Sequence, residues 1–469
     1  MNARLWTLLA TLVLADITAA FETTMVFTAL KELLEEYGEP TKVGWLLTAY
    51  LLVSAGSAAV CGRLGDLFGR RALLLGALGL AVLGSIISAA SPSLEGVIFG
   101  RALQGVSGAV LALCLGLVRE HIPASFVAIS VGVVAGSAAL GGALGMIVGG
   151  VLVDSIGWRY IFWASSLLAG ISFLASLAFV PASKPVSSSR HLDLLGGLLF
   201  VPATTGALLA VSNGDAWQWD GRFWSLMLGS ALLLGFWVRH ELRHPDPLID
   251  VRLLARRDVA LPNIALALCA LGAFQFSQLV LLLLQQPIWT GAGLGLTATA
   301  AALWKIPGNI ASSAASPLTG FLCGRWGAEK VIVTGMTATA AACIALALAP
   351  DQILLVFVIA IVCAVGTSTV YIGVPNIIVA AAPADRISET VGVSSVLRAL
   401  AMAVGAQLMI VILASSTVHD PNLGQGVFPS LGAYQLTLGL IAAASLASAA
   451  VIWWSARTKR SIPAQAEPA

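Results

Sequence analysis

Fourteen stretches of about 20 residues run through this chain without paired charges, and nothing else in it limits the fold so strongly. They fall roughly at 5–30, 43–62, 72–91, 95–118, 125–152, 158–180, 193–211, 223–239, 260–286, 296–322, 329–348, 352–374, 389–414 and 433–454. At 1.5 Å per residue, a helix of about 20 residues crosses the hydrocarbon layer of a bilayer. Charged residues make up 10% of the chain, against about 25% in soluble domains. Hydrophobic residues make up 58%, and the mean hydropathy is +0.93. A soluble core cannot hide that much apolar surface, so the expected solvent is lipid. The fold class that follows is an all-α polytopic membrane protein. The pair 193–211, which contains Pro202, and 223–239 is the shortest. The first run is too long for a signal-peptide core and reads as a retained helix.

The cations fix an orientation. With the N-terminus inside, 18 of the 25 Lys and Arg fall on inside segments, four outside (Lys31, Lys42, Arg159, Arg222) and three within spans (Arg101, Lys305, Arg398). That bias favours an even number of spans with both termini cytoplasmic in a multi-pass cell membrane protein; twelve spans satisfy it as well as fourteen.

The chain also repeats itself. "GRLGDLFGRRALLL" begins at Gly62 and "GFLCGRWGAEKVIV" at Gly320, an offset of 258. "PASFVAISVGV" from Pro123 and "PADRISETVGV" from Pro383 are offset by 260. Two matches at nearly one offset indicate two related halves, as in transporter folds. The expected organisation is a six-helix bundle over 1–180, a linker with two inserted spans over 181–259, a second six-helix bundle over 260–454 and a cytoplasmic tail over 455–469.

These strings resemble the major facilitator superfamily, and its fourteen-helix drug:proton antiporter subfamily in particular. "GRLGDLFGRR" (62–71) is similar to the motif between the second and third helices, and "RALQGVSGA" (101–109) to the motif in the fourth. "GWLLTAYLL" (44–52), "HLDLLGGLL" (191–199), "RHPDPLIDVRLLARR" (243–257) and "VLRALAMAVGAQ" (396–407) resemble further segments of that subfamily. In the first motif, Gly62 and Gly69 suit tight turning and close helix approach. Arg70 and Arg71, with Arg63, suit the anionic head-group level. The resemblance implies that Asp66 meets the N-terminal end of the helix entered near Ser388, which would make the segment a latch between the halves. One departure bears on the direction of transport: "GMIVGG" (145–150) has Met146 where antiporters of the family carry a proline.

Ionisable groups inside spans default to function because they are costly there. Glu22 is the expected proton-coupling residue and Asp16 the second; six positions apart, they face different sides of one helix. A static Glu22–Arg101 pair that only orders helices is the structural alternative. Expected substrate or cavity residues are Arg101, Gln104, Lys305, Arg398, Trp45, Tyr50 and Asn376. Lys305 and Arg398 are cations, an unusual lining for a pump of lipophilic cations.

No HExxH, GxSxG or P-loop pattern occurs, and an enzyme is not expected. His240 and His244, four apart in an arginine-rich segment, read as a solvated face rather than a zinc site; no metal or cofactor is expected. The six cysteines read as packing residues. The expected function is proton-coupled export of a small amphipathic molecule or drug by alternating access. The alternatives are a proton symporter importing an organic anion and, from another class, a non-transporting receptor or scaffold. Expected partners are the substrate, protons and the lipid bilayer, with no nucleic acid and a monomeric chain.

Overall fold

A computed structural model describes residues 3–37, 40–183, 193–214, 217–245, 247, 249–291, 293–296, 298–349, 353–383, 386–419 and 427–460. The first half comprises α1 (Ala3–Tyr37), α2 (Pro40–Phe68), α3 (Arg70–Ala90), α4 (Leu94–Gln104), α5 (Val110–His121), α6 (Ala124–Ile156) and α7 (Arg159–Phe179). α8 (Leu194–Asn213) and α9 (Gly221–Glu241) follow. The second half holds α10 (Val251–Ala255), α11 (Arg257–Leu271), α12 (Phe276–Gln285), α13 (Ala298–Trp326), α14 (Ala328–Leu348), α15 (Ile353–Ala381), α16 (Ile387–Ala414) and α17 (Leu431–Arg460). A short antiparallel hairpin, β1 (Thr417–His419) with β2 (Val427–Pro429), joins the last two.

Among the described residues, 12 helices are long and apolar enough to cross a membrane, counting 94–121 and 257–285 as one rod each. Two further expected spans match other elements: Leu195–Val211 is a shorter apolar helix, and α13 runs for 29 residues. Lipid is written into the surface. On α9, Trp224, Leu228, Leu232 and Phe236 recur every four residues and are each more than half exposed, while Trp237 on the other side is 6% exposed. In water such a stripe would be an aggregation surface; in a bilayer it faces acyl chains.

The rods 94–121 and 257–285 are each interrupted by a 3-10 turn, at Gly105–Ala109 and Ala273–Gln275. At the first, α2 comes so close that a Cβ on Gly105 would stand 2.6 Å from the Tyr50 carbonyl oxygen. α6 shows no interruption over its 33 residues, in keeping with Met146 in place of a proline.

The repeat is visible in how the halves meet. α2 packs on α16 and α13 packs on α6. A side chain on Gly62 would run into the Ser388 backbone, and one on Gly392 into the Ala58 carbonyl. In the other interface, a Cβ on Gly320 would be 2.9 Å from the Ala128 carbonyl, and one on Gly132 would be 3.0 Å from the Ser316 carbonyl. These are the same positions shifted by 258 and 260 residues, so the two crossings are related by the internal repeat. The inserted α8 packs against α2, α9 and α16, beside the joint between the halves.

One expectation changes here. Gly62 makes no turn; it lies within α2, where its missing side chain allows contact with α16. Gly69 alone breaks the chain, at φ 103°, a left-handed value that disfavours any other residue.

Candidate functional site

Three arrangements on or between the bundles involve the residues singled out above. The first is the latch. α16 has no side-chain cap of its own, which leaves first-turn N–H groups to be satisfied from elsewhere. Asp66 Oδ2 accepts the Glu389 N–H at 3.0 Å, so a carboxylate of the first half caps a helix of the second. Arg70 pairs with Asp66 at 2.8 Å, donates to Ser388 Oγ at 3.0 Å and to the Gly116 carbonyl at 3.1 Å, and reaches Glu120 at 3.3 Å. Glu389 lies 3.6 Å from Arg63 and 3.2 Å from Arg386, and accepts the Asp250 N–H at 2.7 Å. Arg63, Asp66, Arg70 and Glu389 are each at most 2% exposed. Within this buried network the Glu389 N–H to Asp66, Arg70 to Ser388 and Arg63 to Glu389 contacts run between the halves, and these exist only while the halves touch. Arg71 stands apart and donates to the Leu177 carbonyl in α7. The sequence did not single out Glu389; an acidic residue in a helix's first turn is ordinary, and its burial depends on Arg63, far away in the chain.

The second arrangement surrounds Glu22. Arg101 lies in the protein interior with its guanidinium carbon 4.2 Å from the centre of the Tyr50 ring. It donates to the Leu46 carbonyl at 3.2 Å, the Glu22 backbone carbonyl at 2.9 Å and Gln104 Oε1 at 2.9 Å. Gln104 Nε2 donates to Ser85 Oγ at 2.6 Å, and Ser165 Oγ donates to Glu22 Oε1 at 3.2 Å. Arg101 therefore grips the backbone of Glu22; among the described residues no ion pair within 4.0 Å joins it to the carboxylate. Glu22 Oε2 and Arg101 Nη2 are buried without a hydrogen-bond partner. Asp16, on the same helix, accepts Ser137 Oγ of α6 at 3.0 Å.

The third is a cavity of about 470 Å³ between α6, the 3-10 turn at Ala273–Gln275, and helices α12, α13, α15 and α16. A volume of this size suits a small molecule. Its wall is mainly apolar, with Phe274, Phe276, Trp304, Phe357 and Tyr371 as the aromatic contributions. Arg398 is the charged side chain on it among the described residues, its guanidinium carbon 4.8 Å from the Tyr371 ring centre.

Of the expected cavity residues whose side chains are described, the structure puts only Arg398 on this wall. Arg101, Gln104 and Tyr50 belong to the Glu22 network, because hydrogen-bonding partners on α1, α3 and α7 hold them inside the first bundle. Asn376 is 9% exposed and turns back to the Ile372 carbonyl at 3.0 Å, as a polar side chain in an apolar helix does. Trp45 is 40% exposed and lines no part of the cavity. The Lys305 side chain lies outside the described residues. Trp304, an aromatic within a span, and Gly308, Ser312 and Ser316, which sequence reasoning does not pick out, fall every four residues along α13; that stripe is the available signal.

The model of the Major Facilitator Superfamily matches residues 12–406. That match runs through more than half of the chain and shows that the chain belongs to the Major Facilitator Superfamily. An uncharacterized MFS-type transporter of Mycobacterium tuberculosis is 32% identical over 71% of this chain; the chain spans 48% of that longer relative. The multidrug resistance protein Stp of Mycobacterium tuberculosis is 28% identical over 82% of this chain and 71% of its own. Among solved structures, the human organic anion transporter MFSD10 superposes with a TM-score of 0.68 at 15% identity, covering 96% of this chain and 100% of that one. The likeness carries the fold. The chain is thus a multi-pass membrane transporter of small molecules and not an enzyme.

Proposed function

We propose that this transporter exports a small amphipathic molecule in exchange for protons, through fourteen spans with both termini on the cytoplasmic face of the cell membrane. The shorter α8 and the long α13, added to the twelve apolar rods, support that count. The excess of cations on segments at one face supports the orientation. The printed name of the Stp relative supports export of drug-like molecules.

Glu22 carries the coupling reading. Its Oε2 has no partner in the closed network, so a proton can sit there without displacing any hydrogen bond. Arg101 holds the same residue by its backbone, which leaves the carboxyl free to change charge while its helix stays in place. Asp16, at the crossing of α1 and α6, is the second proton carrier, and α6, to which it bonds, also walls the cavity. With the latch engaged, this conformation is sealed at the latch face, and protonation and release of substrate alternate with breaking it.

The test uses proteoliposomes with an internal pH dye, to which lipophilic cations, neutral drugs and aromatic carboxylates are added in turn. Proton movement opposite to a cation or neutral drug, lost in Glu22→Gln, is the expected result. A second reading, import of an organic anion with protons, rests on Arg398 being the charge on the cavity wall. It is also in keeping with the organic-anion transporter MFSD10 sharing the fold. Proton entry alongside a carboxylate, lost in Arg398→Ala or Lys305→Ala, would decide for it and against export.

A further inference from the structure

We infer that the adjoining ends of α8 and α9 form a binding site for a divalent transition-metal ion of the zinc type, with Asp193, His240 and His244 as ligands. Asp193 caps α8: its Oδ1 accepts the Gly196 N–H at 2.8 Å, which leaves Oδ2 free to face α9. There Oδ2 stands 2.8 Å from His240 Nε2. The His244 N–H donates to the His240 carbonyl at 2.9 Å, so the helical turn continues past the end of α9 and both rings project from one face. The ring centres are 5.4 Å apart. One ligand atom each from Asp193, His240 and His244 lies within 4.8 Å of the others. A tetrahedral ion with bonds near 2.0 Å needs about 3.3 Å between ligand atoms, a distance that side-chain rotation alone supplies.

A second observation points to the same place. Glu241, next to His240, is 2% exposed; its Oε1 accepts Trp237 Nε1 at 2.9 Å, and its Oε2 has no hydrogen-bond partner. A side chain on Gly196 would collide with Glu241 Oε1 and stand 2.7 Å from Asp193 Oδ2, so the two carboxylates converge over that glycine. Among the described residues neither is ion-paired to a Lys or Arg. Two buried carboxylates beside two imidazoles are a donor set whose negative charge a divalent ion would balance. Imidazole with carboxylate suits zinc and its neighbours in the first transition row, whereas magnesium and calcium prefer oxygen alone. Glu241, not needed as a direct ligand, steadies the site from behind.

Such an ion would clamp the start of α8 to the end of α9. Trp237 packs with Phe200, Ala58 and Val396 in one apolar cluster, which ties that clamp to the helices that carry the latch. The test uses full-length protein without a polyhistidine tag, in lipid nanodiscs, stripped with chelator and dialysed against Zn²⁺. Cys61→Ala serves as the background, because Cys61 is the cysteine that is not fully buried. Expected are one zinc per chain, a binding constant weakened at least ten-fold by His244→Ala, and a Co²⁺ spectrum without thiolate bands. Zinc should also raise the unfolding temperature of the parent and not of the variant. Because His244 is partly exposed, its removal should leave the fold intact; Asp193→Asn is the second variant. Absence of stoichiometric zinc, or unchanged binding in both variants, would overturn the assignment and leave a plain Asp193–His240 hydrogen bond.

Discussion

Asp66 of α2 and Glu389 of α16 are joined by a hydrogen bond from the Glu389 N–H to Asp66 Oδ2 at 3.0 Å, across 323 residues of chain. It does two jobs with one oxygen. It satisfies a donor at a helix end that has no cap of its own, and it places negative charge where the helix dipole favours it. Its other oxygen is held by Arg70. The latch is therefore complete only when both halves contribute.

Asp66→Asn keeps the size of the side chain but turns the charged acceptor of the Glu389 N–H, the contact that crosses between the halves, into a neutral one. A hydrogen bond to a charged group contributes up to about 3 kcal/mol. Losing it shifts the balance between closed and open latch by up to roughly two orders of magnitude. Cys61 adjoins the interface and is half-buried. Its rate of labelling by a polar maleimide should rise several-fold in the variant, and transport should fall at least ten-fold. Unchanged labelling would show that the network only decorates the joint.

The close helix crossings give a sharper contrast. A methyl on Gly392 meets the Ala58 carbonyl, whereas one on Gly150 of α6 meets nothing within 4 Å. Gly392→Ala should hold the latch open, raising Cys61 labelling and abolishing transport. Gly150→Ala should leave both within about two-fold and stabilise α6 by up to about 1 kcal/mol. Transport assays on the pair separate a packing requirement from mere helix propensity.

Much of this was legible in the chain. Long apolar runs mark the membrane-crossing helices, and the repeats at 258 and 260 residues reappear as equivalent glycine contacts. The latch was legible because a run of charge in an apolar chain must be accounted for. The cavity was less so. Polarity within a span shows that a residue is unusual, not which way it faces, and so the sequence does not separate Asn376 and Trp45 from Arg398. The wall of α13 is built from Gly308, Ser312 and Ser316, whose small side chains carry no chemical signal; only their four-residue spacing does. The Asp193–His240–His244 cluster was hidden for a different reason. Two histidines one turn apart mean little until a carboxylate 47 positions earlier is folded against them.

The Glu22 network makes a prediction about stability. Gln104 accepts from Arg101 and donates to Ser85, and it thereby connects α4 to α3 as well as holding the guanidinium. Gln104→Leu preserves volume but withdraws an acceptor from a buried cation whose Nη2 already lacks one. Hydrogen bonds to charged groups contribute about 1.5–3 kcal/mol each. The variant should unfold at a temperature several degrees lower in detergent. Gln104→Glu returns an acceptor to Arg101 but loses the donor to Ser85, so its loss should be smaller. A Gln104→Leu protein as stable as the parent would mean that the network is not structural.

The cavity offers the last prediction. Trp304 stands edge-on to Phe357, with ring centres 5.1 Å apart, and both face the space that Arg398 and Tyr371 border. Trp304→Ala removes aromatic surface from the wall without touching the latch or the Glu22 network. Its effect should therefore appear as a rise of at least five-fold in KM, with proton coupling retained. Arg398→Ala removes charge instead. If the substrate is cationic or neutral, losing that positive charge should leave KM unchanged or lower it. If the substrate is a carboxylate, KM should rise by at least ten-fold, and Arg398→Lys should restore part of it. Measuring KM for one cation and one carboxylate of similar size in all three variants reads the sign of the substrate's charge directly. An equal loss for both ligands in Arg398→Ala would instead show that the arginine positions Tyr371 and Asp16 and does not contact the substrate.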